Sequence, residues 1–131
     1  DLHGHAVGDA VLRAFADRAR ELVRGADVLI RRGGEEFVLM MPGAFETDAQ
    51  NVGERIREAL DAAPLRLRDG ARIRQTVSIG VATWDGVESP EFLDERADLA
   101  MYEAKRKGRN RVVPASFASR LLAFGSAGRL R

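Results

Sequence analysis

Two adjacent carboxylates, Glu35 and Glu36, follow a pair of glycines, Gly33 and Gly34, between two apolar runs. Successive strand residues point to opposite sides, so one carboxylate can face a ligand while the other faces the protein. Adjacent glycines accept positive φ and leave a bare backbone that a polyanion can approach. Mg²⁺ takes one or two carboxylates together with substrate phosphates. These four residues therefore predict either a magnesium–nucleotide site or a hairpin tip with solvated acids.

The elements that must position this turn follow from hydrophobic periodicity. Helical spacing of apolar residues predicts three helices, and short apolar or alternating runs bounded by Gly, Pro or Asp predict strands. In chain order we predict a helix over residues 10–23, a hairpin over 27–41, a helix over 47–62, a hairpin over 65–74, a strand over 75–83, a helix from Ser89-Pro90 and an edge strand over 111–113. This α+β order is most of a ferredoxin-like palm, an antiparallel sheet with helices on one face.

Several charged residues at the ends of these helices have adequate structural explanations. Asp9 stands where an N-cap belongs. Arg24 and Gly25 suit the end of the same helix. Lys105 and Arg109 lie four residues apart at the end of the last helix, where cations complement the helix dipole. Their types and spacing alone predict helix ends rather than a binding site.

The composition excludes several classes of function. The 131 residues are 45% hydrophobic and can form one compact domain. With 21 basic and 20 acidic residues there is no general attraction to nucleic acid or to a membrane surface, so any phosphate site must be local. The sequence has no cysteine and no apolar run of the roughly 18 residues that a membrane span needs. We therefore expect a cytoplasmic domain.

Four segments, in the right order, resemble the motifs of one family. The GGEEF sequence of residues 33–37 is similar to the signature of the GGDEF diguanylate cyclases. Residues 4–9, 76–81 and 101–110 resemble the family's GHxxGD, TVSIGV and YxAKxxGRN stretches. The resemblance covers residues 1 to about 113, so we predict a catalytic domain over 1–113 and a C-terminal tail over 114–131.

The resemblance implies a nucleotidyltransferase that condenses two GTP molecules into cyclic di-GMP, releases pyrophosphate and uses Mg²⁺ or Mn²⁺. Glu35 would be the metal ligand, and Glu36 would assist at the metal or act as a base. The substrate-binding residues would be Asp9 at the guanine edge, Gly33 and Gly34 at the turn, and Lys105 and Arg109 at the triphosphate.

The resemblance also implies an inhibitory site for the product. Arg24 and Asp27 stand in the family's RxxD arrangement, and Arg55 lies where the family has a secondary contact to the same dinucleotide. A guanidinium can clamp phosphate or stack on a purine while a carboxylate accepts from guanine. A solvated helix arginine explains Arg55 equally well.

Two consequences of the resemblance concern assembly. Each subunit would present one GTP, so synthesis requires a homodimer. In addition, the family begins with a strand and helix that would lie before Asp1 and that carry a metal-binding Asp, a phosphate-contacting Lys and a guanine-binding Asn. We therefore expect an N-terminally truncated palm that is inactive alone. The missing strand would lie between the strands predicted at 36–41 and 76–82, so we expect the chain to recruit a substitute strand there or to associate with another molecule. The alternative functions are an inactive cyclic di-GMP receptor and a dimerisation module.

Overall fold

The computed structural model describes residues 4–115 and 126–130. Within them, the three helices are α1 (Gly4–Arg20), α2 (Glu46–Ala62) and α3 (Pro90–Arg106). The strands are β1 (Val28–Arg31), β2 (Phe37–Met41), β3 (Leu65–Arg66), β4 (Arg72–Ile73), β5 (Ser78–Thr83), β6 (Arg111–Pro114) and β7 (Ser126–Leu130). No helix in this part of the chain combines the length and apolar character needed to cross a bilayer.

The main sheet has five strands in the order β1-β2-β7-β5-β6, and β3 pairs with β4 in a separate hairpin. Neighbouring strands are antiparallel except β5 and β6, which are parallel. The mixed helix–strand fold and both predicted hairpins are confirmed. The sheet itself is mixed rather than purely antiparallel, because the crossover through α3 returns the chain to β6 in the direction of β5.

Helices cover both faces of the sheet, so the prediction of helices on one face is wrong. On one face, α1 and α2 pack against alternate residues of β2 and β5, among them Leu39 and Ile79. On the other face, α3 packs on the intervening residues of β5. Gly80 permits this approach, because a Cβ atom there would lie 2.2 Å from the backbone oxygen of Ala97. This side of β5 therefore requires a residue without a side chain at position 80.

The first helix differs from its predicted bounds at both ends. It begins at Gly4, so Asp9 lies inside the helix and is not its N-cap. Nothing between His5 and Asp9 stops the helix, since Gly8 adopts no positive φ. At the other end, α1 stops at Arg20 and Leu22 N–H donates to Ala19 O at 3.0 Å, so Arg24 and Gly25 do not terminate it. For α3, the predicted start is confirmed, since Ser89 Oγ accepts from Phe92 N–H at 3.1 Å.

The strand at the centre of the sheet comes from the C-terminal end of the chain. Ser126–Leu130 pairs antiparallel with β2 on one side and with β5 on the other. This is the position where the sequence predicted that a substitute strand would be needed. The remainder of the predicted tail, residues 116–125 and 131, lies outside the described residues.

Candidate active site at the β1–β2 turn

The turn between β1 and β2 is closed by two backbone hydrogen bonds. Arg32 N–H donates to Glu36 O at 2.7 Å, and Glu36 N–H donates to Gly33 O at 3.1 Å. Gly33 and Gly34 have φ values of 66° and 51°, in the left-handed region that glycine enters without steric cost. The sequence-based prediction of a tight hairpin that needs both glycines is confirmed.

The two carboxylates after the glycines differ in their exposure. Glu35 is exposed, whereas Glu36 is partly buried and its Oε1 is shielded from solvent. In the described residues no group of three or more His, Asp or Glu side chains could hold a metal ion together. Mg²⁺ can be held by one or two carboxylates if substrate phosphates complete its coordination. The donors at this turn fit that mode of binding and not a preformed all-protein site.

Arg31 connects the turn to α1. Its Nε and Nη2 donate to Gly34 O at 3.0 and 2.8 Å, and its Nη2 lies 3.5 Å from Asp9 Oδ1. Asp9 is therefore beside the turn, with its carboxylate more than half exposed. Sequence reasoning missed Arg31. Its signal was the basic pair Arg31-Arg32 directly before the glycines, which adds positive charge where polyphosphate would approach.

Arg32 connects the turn to α3 on the opposite face of the sheet. Its guanidinium forms a hydrogen-bonded ion pair with Asp94. Because α1 and α3 lie on opposite faces of the sheet, the two adjacent arginines connect the turn to a helix on each face. The ion pair of Arg32 was also missed, since Asp94 is 62 positions away in the sequence.

The topology brings Arg109 to the same end of the sheet. Strands β2, β5 and β6 run in one direction, so the turn before β2 and the loop before β6 lie at the same end. Arg109 lies just beyond the end of α3 with φ 65°, and its backbone N–H donates to Ala104 O at 2.9 Å. Lys105, half-buried in the last turn of α3, precedes this loop.

The loop that carries Arg109 is held by α2. Asn110, with φ 46°, accepts at Oδ1 from Arg57 Nη1 at 3.3 Å. Arg57 also donates from Nε to both carboxylate oxygens of Glu54, at 2.8 and 2.9 Å, and this hydrogen bonding raises the pKa of Arg57. Left-handed backbone at non-glycine residues is uncommon and persists where surrounding contacts impose it. Arg57 is therefore a positioning residue for this loop. The hydrophobic periodicity of α2 marks Arg57 only as a polar helix position and gave no sign of that role.

Arg24 and Asp27 meet at the other end of the β1–β2 hairpin. The Asp27 side chain is fully buried and accepts from Arg24 N–H at 2.9 Å and from Arg24 Nη2 at 3.1 Å. Arg24 Nη2 also approaches Pro42 O, at the end of β2, at 3.4 Å. Arg55 is exposed on α2, and within the described residues no hydrogen bond or ion pair joins it to this pair.

Comparison with known proteins decides the family. The family profile described as "Diguanylate cyclase, GGDEF domain" matches residues 1–111. The chain belongs to the GGDEF family. Diguanylate cyclase A of Treponema denticola is 42% identical over 114 residues, which are 86% of this chain and 30% of that enzyme's length.

Solved GGDEF domains share the fold. The GGDEF domain of YfiN (TpbB) from Pseudomonas aeruginosa has a TM-score of 0.74 and 38% identity, over 89% of this chain and 73% of that one. The GGDEF domain of DgcB from Caulobacter crescentus, solved in complex with c-di-GMP, has a TM-score of 0.70 and 29% identity, over 88% of this chain and 68% of that one.

Within this GGDEF domain, the predicted residues form two separate groups. Asp9, Glu35 and Arg109 belong to the end of the sheet where β2 begins. Arg24 and Asp27 belong to the end where β2 stops. A ligand at one group would not occupy the other, because the five residues of β2, about 16 Å of extended chain, separate them.

Proposed function

We propose that this GGDEF domain condenses two GTP molecules into cyclic di-GMP and pyrophosphate when two copies face each other. The observation that supports the proposal most strongly is the turn of residues 33–36, with Asp9 beside it and Arg109 at the same end of the sheet. The c-di-GMP bound to the similar DgcB domain adds support for a guanine dinucleotide as the product class. The proposed catalytic domain comprises residues 1–113.

Each residue of this group has a defined role in the proposal. The bare backbone of Gly33 and Gly34 lets GTP phosphates approach the turn. Asp9 accepts hydrogen bonds from the guanine edge, and Lys105 and Arg109 hold the triphosphate oxygens. Asp9 is available for this because its contact with Arg31, at 3.5 Å, leaves the carboxylate exposed.

The chemical step is an attack of the 3′-hydroxyl of one guanosine nucleotide on the α-phosphorus of the other, with pyrophosphate as the leaving group. It occurs twice, once in each direction, so the ring closes and two pyrophosphates are released. Glu35 is the proposed ligand for Mg²⁺ or Mn²⁺, and Glu36 assists at the metal or accepts the hydroxyl proton. A divalent ion bound there would stabilise charge on the phosphate and lower the pKa of the attacking hydroxyl.

The homodimer follows from the number of substrates. One domain presents a single guanine contact at Asp9 and a single turn, so the second GTP must come from a second copy that faces the first. The proposal places the reaction in the cytoplasm, where GTP is supplied.

An assay for cyclic di-GMP tests the proposed function. The protein is incubated with GTP and Mg²⁺ or Mn²⁺, and the product is detected by liquid chromatography and mass spectrometry. We expect a longer protein that carries this domain with an upstream strand and helix to form cyclic di-GMP, and residues 1–131 alone to form almost none. A longer protein that binds cyclic di-GMP and never makes it would instead be a receptor.

We further propose that Arg24 and Asp27 bind cyclic di-GMP as an inhibitor. Arg24→Ala is expected to weaken binding of cyclic di-GMP to this chain by roughly 10-fold or more, since it removes a guanidinium that can clamp phosphate. Isothermal titration calorimetry on the wild-type chain and the variant measures the change. In the active longer protein, the same variant should need correspondingly more product for half-inhibition.

A control must separate loss of the ligand contact from loss of structure, since Arg24 also satisfies the buried Asp27 carboxylate. Arg72→Ala, at an exposed position on β4, should leave binding unchanged. The thermal midpoint of Arg24→Ala should be recorded beside its affinity. Equal affinity of the wild type and the folded Arg24→Ala variant would contradict the inhibitory site.

A further inference from the structure

The outer face of α3 carries large apolar side chains where a solvated helix normally carries polar ones. The helix packs on the sheet through a stripe of small or apolar residues that are buried: Ala97, Ala100, Met101 and Ala104. On the side away from the sheet, Phe92, Leu99 and Tyr102 are 58%, 59% and 49% exposed. Packing within the chain therefore leaves about half of each of these three side chains in water.

The exposed residues of α3 follow the spacing of a helix–helix contact. Successive members of the set are three, four, three and four positions apart: Phe92, Glu95, Leu99, Tyr102 and Arg106. At 3.6 residues per turn, this spacing keeps all five side chains on one stripe, as in the seam of a coiled coil. We call these five residues the outer stripe of α3. It has the form of a surface that a second helix covers.

The charges of the outer stripe make it complementary to itself. Glu95 precedes Leu99 and Arg106 follows Tyr102, so the stripe is acidic towards its start and basic at its end. Glu95 forms no ion pair with any described residue. Arg106 donates to Glu103 of its own helix from Nε and Nη2, which leaves Nη1 for a further carboxylate. Two such stripes pair unlike charges only if the helices run in opposite directions.

We propose that the outer stripe of α3 binds the outer stripe of a second copy of this chain, with the two helices antiparallel about a two-fold axis. Leu99 of each copy packs on Tyr102 of the other, and Glu95 of each copy pairs with Arg106 of the other. Both pairs are centred between positions 100 and 101 of the sequence, so one two-fold axis satisfies all four contacts. The apolar contacts lie in the middle, and an ion pair closes each end.

This contact is separate from the facing copies that the proposed function requires. The outer stripe includes none of the residues proposed to bind GTP, metal or cyclic di-GMP, and its pairing needs no nucleotide. It is also small, since one pair of helices buries less than the roughly 1,200 Å² of a stable interface. We therefore expect a dissociation constant on the order of 0.1–1 mM and a monomer at low micromolar concentration.

Sedimentation velocity of the full chain without nucleotide, from about 10 µM to about 1 mM, tests the contact. The wild type should shift from monomer towards dimer across this range. Leu99→Asp should weaken association at least 10-fold, yet keep the thermal midpoint of the monomer, because Leu99 is already exposed there. Val87→Asp is the matched control, since it changes an apolar residue that is 77% exposed in the loop before α3, and it should leave association unchanged.

Two results of this experiment would overturn the proposal. One is a wild-type chain that stays monomeric throughout the range. The other is association that Leu99→Asp does not weaken, because the copies would then meet through another surface or by exchange of β7.

Exchange of the two charges tests the antiparallel orientation. Glu95→Arg alone and Arg106→Glu alone should each weaken association at least 10-fold, because each places like charges at both ends of the contact. An equimolar mixture of these two variants should associate like the wild type, since every charged pair between the two chains is again unlike. The chain that carries both substitutions should recover for the same reason. If the mixture associated no better than each variant alone, the antiparallel arrangement would be wrong.

Discussion

Glu35→Gln is expected to reduce cyclic di-GMP formation by a longer, active protein that carries this domain by roughly 10² to 10⁴-fold. A metal ion contributes several kcal/mol of charge stabilisation, and each 1.36 kcal/mol corresponds to about a factor of ten in rate. Glutamine keeps the shape of the side chain but removes the negative charge. Because Glu35 is exposed at the tip of the hairpin, the variant should fold like the wild type.

The measurement is the initial rate of cyclic di-GMP synthesis at saturating Mg²⁺, with the thermal midpoint recorded on the same preparations. Glu95→Gln makes the same chemical change at an exposed position of α3 and should leave the rate unchanged. A Glu35→Gln protein that turns over GTP at the wild-type rate would remove Glu35 from the proposed metal site.

The sequence was sufficient to predict the hairpin that carries Glu35. Two adjacent glycines between apolar runs specify a turn with positive φ, and the structure has that backbone at both Gly33 and Gly34. The start of α3 was predictable for a similar reason, since Ser89 and Pro90 act within one helical turn. Local backbone chemistry decides these features, and it can be read without knowledge of the rest of the fold.

Helix bounds were less predictable where a residue type serves more than one purpose. Asp9 has the chemistry of an N-cap, yet α1 continues through it from Gly4. Its carboxylate instead lies near Arg31, on an element that the sequence reaches 22 positions later. The cap and the long-range contact require the same side chain, so the local pattern could not distinguish them.

Long-range contacts set the rest of the candidate site. Arg57 shows the difficulty, because α2 periodicity identifies it only as a polar helix position. Its hydrogen bond to Asn110 depends on how the loop after α3 returns to the sheet. The central position of β7 was equally hidden, since Ser126–Leu130 has neither the alternation nor the β-branched residues that identify a strand.

The largest effect on stability is expected at a buried ion pair between the β5–α3 loop and α3. Arg96 Nη2 lies 2.6 Å from Glu88 Oε2, and their side chains are 2% and 7% exposed. Arg96 Nη2 also donates to Thr83 O at 2.7 Å. Asp85 stabilises the same loop, because its Oδ1 accepts from the N–H groups of Glu88 and Val87 at 2.7 and 2.8 Å. These hydrogen bonds lower the pKa of Asp85.

Arg96→Ala should therefore lower the free energy of unfolding by about 3–5 kcal/mol, because it leaves the Glu88 carboxylate buried without its cation. Urea denaturation followed by circular dichroism measures the loss.

Arg106→Ala is the matched control, since Arg106 Nη2 also lies 2.6 Å from a glutamate oxygen, that of Glu103, but the two side chains are 74% and 35% exposed. Solvent screens that pair, so its loss should change stability far less. Combining Arg96→Met with Glu88→Leu removes both buried charges, and the double variant should be more stable than Arg96→Ala. If Arg96→Ala and Arg106→Ala had equal effects, burial would not be what makes the Arg96–Glu88 pair important.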